Sequence, residues 1–163
     1  FKDTERKYIG VGVGAVDNDR NFITSWIAFR RLQLEYPDVV GVFLSVPPVL
    51  LPYCTYMADR TKNLYIHERT DMSEFYDILS QCKFVINTAD RNSPGRIQAE
   101  GAFFGVPVIG SNRLELQREL FPYLAVSPYS AEKIVTLSKL LLEKPQLGTD
   151  LALDAADLSL IHI

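Results

Sequence analysis

The chain has 163 residues, 47% of them hydrophobic and 23% charged, with a formal net charge of −3. That size suits one globular domain with its own core, and the composition excludes disorder. The mild negative charge gives a nucleic-acid partner no electrostatic support.

Cys54 and Cys82 are isolated, without metal-ligand spacing, and read as free thiols of a reducing compartment. The longest apolar run, Val39 to Tyr53, is interrupted by Pro47, Pro48 and Pro52 and is too short to span a bilayer. The opening FKDTERK is charged, without a signal-peptide core, and a cytoplasmic protein is expected. The chain does not begin with Met. The expectation is an excised domain whose missing part holds half of the function and any peripheral membrane association.

In chain order, Tyr8 to Val16 (YIGVGVGAV) predicts a first parallel strand. Gly10, Gly12 and Ala15 match a dinucleotide-binding G-x-G-x-x-G/A pattern. The context argues against it: almost no strand precedes Gly10, and the polar loop DNDRN delays the helix that should open among the glycines. Asn21 to Tyr36 predicts an amphipathic helix ended by Pro37. Arg20, just before it, is either a phosphate contact or a solvated loop arginine. Val39 to Val46 is the next strand, and Pro47 to Lys62 is expected to be an irregular aromatic excursion over the sheet.

Leu64 to Ile66 predicts a short strand leading into His67-Glu68-Arg69, where a lone His–Glu pair makes metal binding unlikely and no metal is expected. A helix capped by Asp71 or Ser73 follows, then the strand Lys83 to Asn87.

DRNSPGRIQAEGAFFGVPVIGS, Asp90 to Ser111, is the stretch that the rest is organised around. Ser93 fits an N-cap, Pro94 the first helical position, Gly105 the position past the helix end, and Val106 to Ile109 a buried strand. Free N–H groups at such a helix start, with Gly95 and Arg96, favour an anion. Glu100 shares a face with Arg96 one turn further in, placed to accept hydrogen bonds from hydroxyls. Phosphate followed by ribose has that layout, although an ordinary capped helix with an internal Arg–Glu pair explains the same residues.

A helix at Leu114 to Leu120, a strand at Tyr123 to Val126 and a serine-capped helix at Ala131 to Leu142, closed by Pro145, complete the pattern. Residues 1–145 are expected to form one Rossmann-like domain, with 146–163 a terminal helix or linker. The alternation of strand and helix predicts a doubly wound parallel α/β sheet with helices on both faces. Ligands of such sheets sit beyond the carboxyl ends of the strands, where Asp17–Arg20, His67–Arg69 and Ala89–Arg96 should converge.

The order of motifs resembles the C-terminal, nucleotide-sugar-binding domain of GT-B glycosyltransferases, in particular the retaining group 1 (family 4) enzymes. AEGAFFGVPVIGS carries the sharpest resemblance. SEFYDILSQCKFVINTA and YLAVSPYSAEKIVTLSKLLLEKP are similar to the family's flanking segments. The resemblance implies that Glu100 binds ribose hydroxyls and that Arg20 stands for the family's phosphate-binding lysine. It also implies that His67 and Glu68 lie near the nucleobase, and that Gly95 belongs to the phosphate loop, with Ser93, Pro94, Arg96 and Ile97 around it.

Two departures bear on catalysis. The family's first glutamate falls on Asn92, and a second basic residue falls on Ala15, for which Arg91 or Arg96 would substitute. The implied activity is retaining transfer of a hexosyl group from a nucleoside-diphosphate sugar to a glycan or other acceptor bound by a separate N-terminal domain. The alternatives are a related domain that has lost catalysis and serves binding or scaffolding, or a sugar-nucleotide epimerase.

Overall fold

A computed structural model describes residues 6–14, 21–90 and 95–162, the last three by their backbone alone. Six strands lie in one sheet: β1 (Tyr8–Val13), β2 (Val40–Val46), β3 (Leu64–Glu68), β4 (Cys82–Asn87), β5 (Val108–Ser111) and β6 (Ala125–Val126). Their order is β3-β2-β1-β4-β5-β6, and every neighbouring pair is parallel. The inner strands are short apolar runs buried on both faces, the pattern of a parallel sheet sandwiched between helices, whereas the edge strand β3 leaves Tyr65 and Glu68 exposed.

The helices are α1 (Phe22–Glu35), α2 (Leu51–Asp59), α3 (Met72–Ser80), α4 (Arg96–Phe103), α5 (Glu115–Leu120), α6 (Ala131–Glu143) and α7 (Pro145–His162). α1 packs beside α6, whereas α4 and α5 pack against α7. Phe29 of α1 packs against the sheet, where a Cβ on Gly41 would stand 2.7 Å from its ring. The sheet is the expected doubly wound one.

Several local expectations change. Pro47 to Lys62 is not irregular: a 3-10 turn at Pro48–Leu50 runs into α2. Its prolines stand at helix starts, where a missing N–H costs nothing and a fixed φ helps. α4 begins at Arg96, later than a Ser93 cap implies, with Gly95 at the cap in the left-handed region (φ 88°). Asp71, not Ser73, caps α3 by accepting from the Glu74 N–H at 2.9 Å. Ser130 stands at the cap of α6 but makes no side-chain cap bond. Tyr123 to Val126 is mostly a 3-10 turn, with only Ala125–Val126 paired to β5. Pro145 opens α7, and α7 buries Ala152 and Ala155 completely.

Candidate functional site at the sheet's switch point

In this strand order the chain departs in opposite directions from β1 and β4, and the two leave a crevice at their carboxyl ends. Gly12 and Val13 form one wall and Asn87, Thr88 and Ala89 the other, with Asn21, Phe22 and Ser25 of the α1 start behind them. Gly12 has φ 115°, and a Cβ there would lie 2.5 Å from the Phe22 ring. The glycine therefore serves helix packing, and Gly10 lies inside the strand. Neither forms a phosphate turn before a helix.

Long-range hydrogen bonds hold the rim. Thr88 Oγ1 donates to the Asn21 carbonyl at 2.6 Å, and Asn21 Nδ2 donates to the Pro128 carbonyl at 2.7 Å. Asn21 Oδ1 caps α1 by accepting from Thr24. Asp90, just past β4, accepts the Tyr129 hydroxyl and pairs with Arg113, whose Nη1 is 2.7 Å from Oδ1. These contacts tie the exits of β4, β5 and β6 together.

α4, which follows β4 in the chain, packs against β5, α5 and α7. Gly95 is required twice: its backbone is left-handed, and a Cβ would come within 2.6 Å of Gln98 Oε1. Gln98 is fully buried and donates to Gln117 Oε1 at 3.0 Å; Gln117 in turn donates to the Val108 carbonyl at 2.8 Å. Two buried amides thus fix the helix start against β5 and α5. Ile97 is buried, so its side chain belongs to the core and only its backbone belongs to the helix end.

Arg96 Nε lies 3.0 Å from Glu100 Oε1, with the arginine side chain 73% exposed and the glutamate side chain 14% exposed. Glu100 Oε2 is buried with no hydrogen-bond partner. Burial pushes the Glu100 carboxyl above the ordinary glutamate range, against the opposing pull of Arg96 and of the Tyr76 hydroxyl. A desolvated carboxyl one turn inside a helix start, with Arg96 and Tyr76 as its hydrogen-bonding neighbours, has acceptor capacity left over at Oε2.

Gly95, Arg96, Ile97 and Glu100 are therefore brought together. Arg20, Asn92, Ser93 and Pro94 lie outside the described residues, as do Ala15 and Arg91. His67 and Glu68 stand apart, at the end of β3. His67 is buried and its Nδ1 accepts the Ser45 N–H at 3.1 Å, while Nε2 faces Glu74 Oε1 at 3.9 Å. Burial lowers its pKa, with Glu74 opposing, so the neutral ring is favoured. Glu68 is exposed. No group of three or more His, Cys, Asp or Glu that could hold a metal occurs among the described residues, nor does a helix long and apolar enough to cross a membrane.

Sequence reasoning missed Asn21, Thr88, Asp90, Arg113, Tyr129 and the Gln98–Gln117 pair. Each acts through a partner distant in the chain, which spacing does not reveal.

No protein-family model and no curated protein sequence matches the chain. Solved structures do match in fold. The chain is similar to the α,α-trehalose 6-phosphate synthase of Burkholderia multivorans (TM-score 0.72, 18% identity, covering 96% of this chain and 41% of that one). It is similar to an E. coli trehalose-6-phosphate structure bound with UDP-2-fluoro glucose (TM-score 0.75, 15% identity, 95% and 40%). It is also similar to the C-terminal domain of a glycosyl transferase group 1 family protein, LpcC, of Francisella tularensis (TM-score 0.78, 16% identity, 93% and 83%). The chain thus spans about two fifths of the trehalose-type structures and most of the isolated C-terminal domain. Its fold is that of one half of a GT-B glycosyltransferase.

Proposed function

We propose that this domain binds the nucleoside-diphosphate sugar donor of a glycosyltransferase that transfers a hexosyl group with retention. The observation that carries the reading is Glu100: its buried, unpartnered Oε2 stands at the α4 start, where the vicinal hydroxyls of a ribose would supply the missing donors. The diphosphate would lie against the free N–H groups at Gly95, Arg96 and Ile97 and take further positive charge from Arg20 and Arg96. A neighbour in fold that binds UDP-2-fluoro glucose supports this choice of ligand class.

Catalysis in this reading is stabilisation of the departing diphosphate by helix-end N–H groups and guanidinium charge, with no metal and no nucleophile from this domain. Asn92, next to the helix, offers an amide where a carboxylate would face the developing positive charge of the sugar. His67 and Glu68 would lie near the base, with the exposed Glu68 as the group able to reach it. The acceptor, a glycan or another hydroxyl compound, would bind a second domain.

Asn92 also favours a second reading, a donor-type domain retained for binding or scaffolding after loss of catalysis. Transferase activity of the full-length protein separates the two.

The Arg20 assignment has its own test. Arg20→Ala should weaken a nucleoside diphosphate by about tenfold and leave the matching nucleoside nearly unchanged, the loss of one charge-assisted contact. Calorimetric titrations of both ligands read the difference. Equal losses for the two would remove Arg20 from the phosphate site.

A further inference from the structure

A cavity of about 410 Å³ opens at the amino ends of β4 and β5, the pole of the sheet opposite the switch-point crevice. Gly105 and Pro107, between α4 and β5, form one wall, and Leu141 and Leu142 near the end of α6 form another. Gly148, near the start of α7, forms a third. Helices disfavour glycine in their interior, and here the glycine leaves room. A Cβ on Gly148 would stand 3.2 Å from Pro107 Cγ and 3.4 Å from Leu141 Cδ2, so a larger side chain would fill the space between those walls.

The charge of the cavity has one sign. Arg6 and Lys83 line it, and among the described residues no Asp or Glu does, in a chain whose net charge is −3. Arg6 Nη1 donates to the Cys82 carbonyl at 3.0 Å and Nη2 to the Phe104 carbonyl at 3.2 Å, which fixes the guanidinium at the wall. Lys83 is exposed, so its ammonium stands at the mouth, with three donors on a flexible stem. Small-molecule sites occupy about 300–1,000 Å³ and combine apolar walls with a few convergent polar groups. Aliphatic walls under two cations select an anion that carries an apolar body.

We infer that this cavity is a second ligand site, for a small carboxylate with an aliphatic body. The head pairs with the Lys83 ammonium beside the Arg6 guanidinium, and the body lies between Pro107, Leu141 and Leu142. A neutral compound of the same length buries the same apolar surface and leaves the cations unused. A bare anion gains only an exposed ion pair, which is worth little against water. The site shares no residue with the crevice or with the α4 start, so it stands or falls apart from the donor-binding reading.

The test uses the 163-residue chain, with octanoate, octanol and acetate as probes and amide NMR as the readout. Octanoate should shift the Gly105 and Gly148 resonances saturably, octanol should bind about fivefold more weakly, and acetate should give no saturable shift. Lys83→Ala should weaken octanoate by about fivefold, the contribution of an exposed ion pair, and leave octanol unchanged. Lys83→Arg should restore octanoate. The side chain is exposed, so neither substitution threatens the fold.

Octanoate shifts that do not saturate, or that fall away from the cavity, overturn the inference. Octanoate binding that Lys83→Ala leaves unchanged also overturns it, since the cavity would then accept apolar bodies without reading charge.

Discussion

Glu100 illustrates how a single side chain can be set against the stability of its own fold. Burial of its carboxyl outweighs the pull of Arg96 and Tyr76, so its pKa in the folded chain lies above the ordinary glutamate value. A folded pKa above the unfolded value gives a contribution that is complete below the unfolded pKa of about 4.5 and is lost as pH rises through the folded pKa. Glu100→Gln removes the charge and keeps the shape. Its melting temperature should therefore match or exceed that of the parent at pH 7, with the difference closing as pH falls below about 4.5. A clear drop at pH 7 would mean that the ion pair with Arg96 outweighs the cost of burial. The pairing of Arg96 with Glu100 was legible in the sequence because helical spacing is a local rule, whereas the cap fell at Gly95 and not at Ser93. The role of Asp90 was not legible, because Arg113 and Tyr129, which meet it, arrive from β5 and the loop before α6. Asn21 looked only like a helix start, although its amide also carries the contact to Pro128 that closes the rim.

Among the elements, α4 shows both what local chemistry dictates and where it stops. Its end is a Schellman motif: the Gly105 N–H donates to the Ala102 carbonyl at 3.2 Å and the Val106 N–H to the Gly101 carbonyl at 2.7 Å. Gly105 carries φ 72°, as a C′ glycine should. Its start is decided by burial instead, through Gln98 against Gln117, and so it falls at Gly95 rather than at the serine and proline that mark starts elsewhere. In α2 the error ran the other way. Prolines were read as breakers although they occupy the first turns of the 3-10 segment and of the helix.

The two kinds of glycine lead to a ranking. Gly105→Ala meets the backbone strain of φ 72° and should cost about 1 kcal/mol. Gly12→Ala adds overlap with the Phe22 ring at 2.5 Å to the strain of φ 115°, and should cost about 2–4 kcal/mol. Urea denaturation of the two variants measures both, and equal costs would mean that Phe22 moves aside freely.

At the scale of the molecule, the doubly wound parallel sheet was readable from the alternation of strand and helix, because parallel neighbours need crossovers and crossovers are right-handed. The strand order was not readable, and it is the order that creates the switch point between β1 and β4. β1 and β4 form the walls of the crevice there and α1 its back. Identities of 14–18% to the solved structures explain why fold comparison reaches where sequence comparison does not. The chain spans about two fifths of the trehalose-type chains that it matches in fold.

The measurement that tests the donor-binding reading most directly is calorimetric titration of the chain with UDP, GDP, ADP and NAD, repeated with Glu100→Ala. The account predicts that one diphosphate binds and that the variant weakens it by about 1–3 kcal/mol, the loss of charge-assisted hydrogen bonds to hydroxyls. Binding of NAD alone, or a diphosphate held equally well by a folded Glu100→Ala variant, would contradict it.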